Sequence, residues 1–267
     1  MAIQKRNDEM VNLLGADFQR RHEGGFAWRT ACSMFQALPG LRGFWPMSAF
    51  DSSGNAYDQS GHGHTLTYNG NPRYDFDGLA PYIRFDGTGD YLSRADEADL
   101  DILGTETYVA AGHRGITLGG WFRPENVTNT MSLISKWAPA NFSYILQADG
   151  AAGGDPVIFY MSDDGANTSS ASSTTGFSAN EWQFMAGRFN DALTGKELAV
   201  WLNDEMTSAA SARASIFNGN ADFNISGNNS GSNLLTGRAS MCFLCAVALH
   251  DSTVWNIYQQ TRALFRG

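Results

Sequence analysis

Residues 196–204 read KELAVWLND, and the spacing of their apolar side chains indicates the fold class. Leu198, Val200 and Leu202 occupy every second position, so in an extended strand their side chains share one face. Alternation of this kind predicts a half-buried β-strand whose Leu/Val face contacts a core. Trp201 lies on the opposite face, where it either packs against a second layer or forms a platform for a sugar ring.

Short runs of the same kind recur from Leu41 onward, and polar or glycine-rich segments separate them. Runs of this length and spacing are typical of an all-β sandwich or jelly roll rather than a helical bundle. The polar segment 165–181, GANTSSASSTTGFSANE, is predicted to be a long loop. The other strand-like runs are GITLGGWFRP (115–124), MSLISKW (131–137), FSYILQAD (142–149), DPVIFYMSD (155–163), EWQFMAGRFND (181–191) and SMCFLCAVALH (240–250).

The composition sets limits on function. The chain has 267 residues, 43% of them hydrophobic, which is enough for a sizeable core. Its formal net charge of -9 and its lack of a Lys/Arg block argue against a nucleic-acid partner. No apolar run approaches the roughly 20 residues that span a bilayer, so no membrane insertion is expected. The N-terminal residues also lack the apolar core of a signal peptide, so Sec-dependent secretion is not expected.

The first 40 residues have helical rather than strand-like spacing. Met10, Leu13, Leu14 and Phe18 recur at intervals near three and four, which predicts an amphipathic helix. The stretch FAWRTACSMFQAL (26–38) predicts a second helix that ends before a Pro-Gly pair. Two short helices of this kind are not stable alone, so they must pack against something.

We therefore divide the chain into a helical N-terminal arm, residues 1–40, and a jelly-roll domain, residues 41–267. The apolar face of the arm is expected to dock on other proteins or on copies of this chain. The alternative is that the helices form a cap on the core of the jelly roll itself.

The three cysteines are too few for a disulfide framework. Cys242 and Cys245 have C-x-x-C spacing, but they lie in a run that reads as a buried strand. Residues three apart on a strand point to opposite faces, so these two are expected to be core thiols rather than metal ligands.

Seven motifs, taken in order, resemble the laminin-G-like, concanavalin A-like jelly-roll family. The resemblance covers roughly residues 41–260 and implies a concanavalin A-like antiparallel β-sandwich. The motifs are GFW (43–45), DQSGHGHTL (58–66), FDGTGDYL (85–92), ITLGGWFRP (116–124), WQFMAGRF (182–189), LAVWLND (198–204) and ALHDSTVWNIY (248–258).

Members of this family often hold Ca²⁺ near the edge that carries the D-x-S-G loop. The resemblance implies Asn55, Asp58 and Asp90 as ligands. All three side chains carry oxygen atoms, and calcium takes six to eight oxygen ligands. The family's late strand usually carries an acidic pair that this chain lacks. The alternative is that Asp58 only anchors an Asx-turn.

His62 and His64 lie in the same loop. They are expected to pack within it rather than bind a transition metal, since no third ligand is near them in sequence.

Partly exposed aromatic residues on such a fold suit the apolar faces of sugar rings. Tyr144, Tyr160 and Trp201 are the predicted glycan-binding residues, and Tyr57, Tyr68 and Trp137 are further candidates. The alternative for most of the tryptophans is a place in the core of the sandwich.

Glycoside hydrolases share this architecture, and Glu97, Asp99 and Asp101 have the alternate spacing of carboxylates on one face of a strand. The third acid and its surroundings depart from the hydrolase pattern, so no catalytic residue is predicted and the chain is expected not to be an enzyme.

The predicted function is a non-enzymatic structural protein of a virion surface: a capsid decoration, fibre or tail component. The resemblance to laminin-G-like proteins of phage genomes implies this setting. The arm would contact other virion proteins or further copies of the chain, and the jelly roll would present an adhesion surface to host glycans. The alternatives are a free carbohydrate-binding lectin and a glycoside hydrolase of the concanavalin A-like fold.

Overall fold

The computed structural model describes residues 25, 27–48, 50–51, 53–77, 80–107, 109–229 and 231–265. Over these residues the chain forms two antiparallel β-sheets that enclose a common apolar core. The predicted all-β sandwich is therefore confirmed. Met10, Leu13, Leu14 and Phe18, the predicted docking residues, lie outside the described residues.

The first sheet contains the strands β1 (Leu41–Trp45), β3 (Arg73–Asp77), β4 (Ala80–Asp86), β6 (Gly115–Pro124), β11 (Gln183–Asn190), β12 (Leu198–Leu202), β13 (Glu205–Ala209) and β15 (Thr236–Cys245). They run in the order β13-β12-β11-β6-β15-β4-β3, and β1 also pairs with β15. The first and last strands of the domain, β1 and β15, thus pair with each other in this sheet. This pairing holds the two ends of the domain's chain together.

The second sheet contains the strands β2 (Thr67–Asn69), β5 (Tyr91–Arg94), β7 (Thr130–Ala138), β8 (Asn141–Asp149), β9 (Pro156–Gly165), β10 (Thr168–Gly176) and β14 (Phe223–Ile225). Their order is β10-β9-β8-β7-β14-β5-β2.

The edge strand β10 corrects the loop predicted for residues 165–181. Its backbone pairs with β9 from Thr168 to Ser172, and Ala171 is buried in the inner core. The small polar residues around Ala171 suit an edge strand with one solvated face, although they resemble a loop in composition.

The inner core lies between the two sheets. Leu198, Val200 and Leu202 of β12 face this core, which confirms the alternation predicted for the strand. Gly187 of β11 lets the opposite sheet approach closely, because a Cβ at this position would lie 2.5 Å from the ring of Phe159. Each large apolar side chain buried in such a core contributes about 1.5–3 kcal/mol relative to exposure.

A second core lies on the outer face of the first sheet, beneath two helices. Helix α1 comprises residues 27–36, and helix α2 comprises Asp251–Thr261. Phe35 of α1 is fully buried and stacks on Phe44 of β1, with 4.7 Å between ring centroids. Residues 27–36 thus pack on the jelly roll itself, which is the alternative that the sequence left open for this helix.

The two strand cysteines lie on opposite faces of β15, as predicted. Cys242 belongs to the inner core and Cys245 to the core beneath the helices. Burial raises the pKa of both thiols, so neither is a thiolate at neutral pH.

Candidate functional site

Three aromatic side chains meet on the outer face of the second sheet; we call them the aromatic group: Trp137, Phe142 and Tyr160. Trp137 and Phe142 are cross-strand partners in β7 and β8. Their rings stack with 4.4 Å between centroids and 10° between planes, and the ring of Tyr160 lies 6.3 Å from that of Trp137. All three side chains are partly exposed.

Tyr160 reaches this face by strand alternation. Phe159 and Met161, its neighbours in β9, point into the inner core, so the side chain between them points outward. Burial raises the pKa of Tyr160, and the negative charge of Asp149 raises it further. The Tyr160 hydroxyl is therefore protonated at neutral pH and is able both to donate and to accept hydrogen bonds.

A loop rich in Asn, Ser and Gly follows β14 and lies beside the aromatic group. The backbone N–H of Asn229 donates to the carbonyl oxygen of Trp137 at 3.1 Å, and Asn229 is exposed. The hydroxyl of Ser135 donates to the carbonyl oxygen of Gly227 at 2.7 Å, which holds the loop against β7. Aromatic rings beside amide groups are the usual lining of sites for small polar ligands.

Two of the three predicted glycan-binding residues are corrected by their burial. Tyr144 is fully buried in the inner core, where its hydroxyl donates to the carbonyl oxygen of Leu100 at 3.1 Å. Trp201 is only 2% exposed, lies beneath the helices and has the guanidinium of Arg188 5.1 Å from its ring centroid. Neither ring is accessible to a sugar in solvent, whereas Tyr160 and Trp137 are.

Asp58 is an anchor for its loop. Its carboxylate accepts the backbone N–H groups of Phe44, Ser60 and His64 at 2.8–3.0 Å and the Ser60 hydroxyl at 2.7 Å. The side chain is 4% exposed. These contacts include the Asx-turn that was the predicted alternative to calcium binding.

Asn55 and Asp90, the other predicted calcium ligands, each hold a different turn. Asp90 accepts the backbone N–H groups of Asn71 and Asp86, and Asn55 accepts that of Tyr68. Calcium binding by Asn55, Asp58 and Asp90 stays a prediction.

The third ligand that the loop histidines lacked in sequence comes from a distant turn. Within the described residues, His62, His64 and Asp99 form a group whose ligand atoms all lie within 4.8 Å of one another. We call these three residues the histidine cluster. An H-x-H pair and a run of alternate acids were visible in the sequence, but no local pattern indicated that His64 and Asp99, 35 residues apart, lie side by side.

The three carboxylates considered for hydrolysis do not line one strand face. Residues Ala98–Leu100 form a 3₁₀ turn, which separates the side chains. Glu97 and Asp99 contact His64, whereas Asp101 pairs with the buried Lys136 at 2.9 Å. The strand geometry assumed for a catalytic pair is therefore wrong.

The family model described as the concanavalin A-like lectin/glucanases superfamily (Laminin_G_3) matches residues 86–256, which is more than half of the chain. The chain belongs to this superfamily. The match includes β6–β9 and β14, the strands that carry the aromatic group and support its flanking loop. A comparison with curated protein sequences found no significant match.

Solved structures of this superfamily fold include toxin binding domains. The receptor binding domain of botulinum neurotoxin C/D mosaic serotype aligns with a TM-score of 0.59 and 12% identity, over 82% of this chain and 51% of that one. The binding domain of Paraclostridial Mosquitocidal Protein 1 aligns with a TM-score of 0.58 and 14% identity, over 82% and 52%. The ligand binding domain of botulinum neurotoxin serotype D, in complex with N-acetylneuraminic acid, aligns with a TM-score of 0.58 and 12% identity, over 86% and 52%.

This chain therefore spans about half the length of these structures, and at such low identity the likeness shows the fold alone. Among the described residues, none of the helices has the length and apolar character needed to cross a membrane.

Proposed function

We propose that this chain is a non-enzymatic glycan-binding module of a virion surface and that the aromatic group is its sugar-binding site. The observation that carries the binding proposal is the stacked, partly exposed pair Trp137 and Phe142 with Tyr160 beside it.

The geometry suits a sugar ring for two physical reasons. Stacking on Phe142 holds the indole of Trp137, so less side-chain freedom is lost when a ligand binds. The apolar C–H face of a pyranose favours contact with an aromatic ring, while its hydroxyls need polar partners. The Tyr160 hydroxyl and the exposed Asn229 supply such partners at the margin of the aromatic group.

The fold relatives give the proposal a precedent, because one of those structures is a complex with N-acetylneuraminic acid. The charge of this chain favours a different class of glycan. The formal net charge is -9, and Asp149 lies close enough to Tyr160 to affect its pKa. A sialylated glycan would be repelled by both, so we expect neutral oligosaccharides to bind more tightly.

A glycan array followed by titration calorimetry tests the site. We expect saturable binding of a neutral oligosaccharide by the full chain and at least a tenfold loss of affinity in Trp137→Ala and in Tyr160→Ala, about 1.4 kcal/mol. Phe76→Ala is the matched control, since Phe76 is an aromatic residue 59% exposed on the edge strand β3, outside the aromatic group.

Equal affinity in the wild type and both site variants would refute the site, even if the chain binds glycans. Loss of binding in Phe76→Ala alone would move the site to the edge of the first sheet. Release of sugar from an oligosaccharide during the titration would overturn the non-enzymatic part of the proposal.

The virion setting rests on the resemblance and on the apolar helical pattern of the N-terminal residues. Helix α1 packs its buried face on the jelly roll, so we assign the docking role to the predicted helix that carries Met10, Leu13, Leu14 and Phe18. The double variant Leu13→Asp, Leu14→Asp in the full chain tests this. We expect it to keep the wild-type melting temperature but to be lost from purified particles. If it is incorporated like the wild type, the docking role fails, and a free lectin becomes the better description.

A further inference from the structure

The loop from Asp58 to His64 and the turn from Glu97 to Asp99 come together beside β1, and their side chains meet in one place. His62 Nδ1 and His64 Nε2 each lie 2.9 Å from the same oxygen, Oδ2 of Asp99. We propose that the histidine cluster binds a divalent transition-metal ion of the Zn²⁺ class, a site separate from the aromatic group and independent of the glycan proposal.

The ligand types fit such an ion. Imidazole nitrogen and carboxylate oxygen are ligands that zinc takes at about 2.0–2.2 Å, and two histidines with one carboxylate leave a coordination position for water or a ligand. The three ligand atoms already lie within 4.8 Å of one another, so a modest outward shift of the side chains would admit an ion between them.

The surroundings of His64 also match those of a metal-binding histidine. Its other ring nitrogen, Nδ1, lies 2.5 Å from Oε1 of Glu97. A metal-bound histidine typically donates its second N–H to a carboxylate, which fixes the tautomer and turns the free nitrogen toward the ion. Glu97 is itself held by Arg94, whose guanidinium donates to both carboxylate oxygens at 2.9 and 3.1 Å.

The backbone of His64 is fixed on both sides. Its N–H donates to Asp58 at 2.9 Å, and its carbonyl oxygen accepts the indole N–H of Trp45 at 2.8 Å. Both interactions are buried, and the Trp45 ring belongs to the inner core. The position of the histidine is thus set by the fold before any ion arrives, which reduces the entropy cost of binding.

The cluster is also reachable from solvent. The side chain of His64 is 4% exposed and forms the floor, while those of His62 and Asp99 are 35% and 42% exposed. A closed structural site would have all its ligands buried. An exposed rim instead suits an ion that exchanges with solvent and keeps a water ligand.

Positive charge near the cluster limits the expected affinity. Arg42 pairs with the other oxygen of Asp99 at 3.1 Å, and Arg94 neutralises Glu97. Each of these two carboxylates is thus offset by a guanidinium, which weakens their attraction for a cation. We therefore expect micromolar rather than nanomolar dissociation constants for zinc. The same atoms would also form ion pairs with protonated histidines, and the experiment must separate these two cases.

Calorimetry on the tag-free full chain at pH 7.5 provides that separation, with ZnCl₂ as the titrant. We expect one Zn²⁺ per chain in the wild type. His62→Ala and Asp99→Asn should weaken binding at least tenfold, and Glu97→Gln, which keeps the shape of the orienting group, 10- to 100-fold. His62 and Asp99 are partly exposed, so these variants should stay folded, which circular dichroism checks. His113→Ala is the matched control, because His113 is exposed and lies outside the cluster.

Cobalt supplies a readout that a structural ion-pair network would not give. Co²⁺ bound by two imidazoles and a carboxylate should show visible d–d absorption in the wild type that is absent in His62→Ala. Ca²⁺, which takes oxygen ligands, should not displace it. Zinc binding unchanged in both His62→Ala and Asp99→Asn, or no zinc binding by the wild type at millimolar zinc, would overturn the proposal and leave a histidine–carboxylate ion-pair cluster.

Discussion

The outer faces of the two sheets differ in what lies above them. Trp201 on the first sheet and Tyr160 on the second are both outward-facing aromatics of regular strands. Trp201 belongs to the core beneath the helices and is 2% exposed, whereas Tyr160 stays partly exposed. Strand alternation therefore decides only which side chains leave the inner core. A third layer decides whether they reach solvent, and at these two positions only the aromatic residue of the second sheet does.

Trp201→Ala should lower the free energy of unfolding more than any substitution on the outer face of the second sheet. The indole fills space between the first sheet and the helices and lies under Arg188. Truncation leaves a cavity and should cost about 3–5 kcal/mol of the free energy of unfolding, measured by urea denaturation. A loss below about 1 kcal/mol would mean that the helices do not cover this face in solution.

Phe35→Leu tests how helix α1 is held against the first sheet. The ring of Phe35 is fully buried and contacts Phe44 and Phe243 of the first sheet. Leucine keeps most of the apolar contact but loses the ring stacking, so we expect destabilisation of about 1–2 kcal/mol. Hydrogen exchange should show faster exchange in residues 27–36 of the variant. Unchanged exchange there would indicate that α1 does not depend on this contact.

Tyr160→Ala should affect stability much less than the two changes beneath the helices. Its side chain is partly exposed, so we expect a loss of about 0.5–1.5 kcal/mol in the free energy of unfolding, together with the loss of glycan affinity proposed above. A stability loss as large as that of Trp201→Ala would remove the distinction between the two faces.

The inner core was predictable from the sequence, because a single period of two residues places Leu198, Val200 and Leu202 on one face. The fate of Trp201 was not, because the covering helix α2 lies about 50 residues later and its apolar face does not specify what it will cover. Tyr144 was misread for a related reason: an aromatic residue with a polar tip suits either a sugar or a buried carbonyl, here that of Leu100.

The histidine cluster was missed because ligand proximity depends on tertiary structure. His64 and Asp99 are 35 residues apart, and four strands, β2 to β5, two from each sheet, intervene between them. The role of Asp58, by contrast, was predictable as an Asx-turn, since the contact with Ser60 is local. Local hydrogen bonds are encoded by adjacent residues, whereas this cluster requires the register of the whole sandwich.

The smallest expected effect on stability is that of Asp164, which lies in the β9–β10 turn of the second sheet. Hydrogen bonds from the Asn167 side chain and from the backbone N–H groups of Ala166 and Asn167 lower the pKa of Asp164. Because the folded-state pKa is depressed, the stabilisation is present above the unfolded-state value of about 3.9 and is lost as pH falls below it. The melting temperature of the wild type should therefore fall more between pH 5 and pH 3 than that of Asp164→Asn. Parallel pH profiles would show that cross-strand pairing with β9, and not the charge of this turn, holds the edge strand β10 beside the aromatic group.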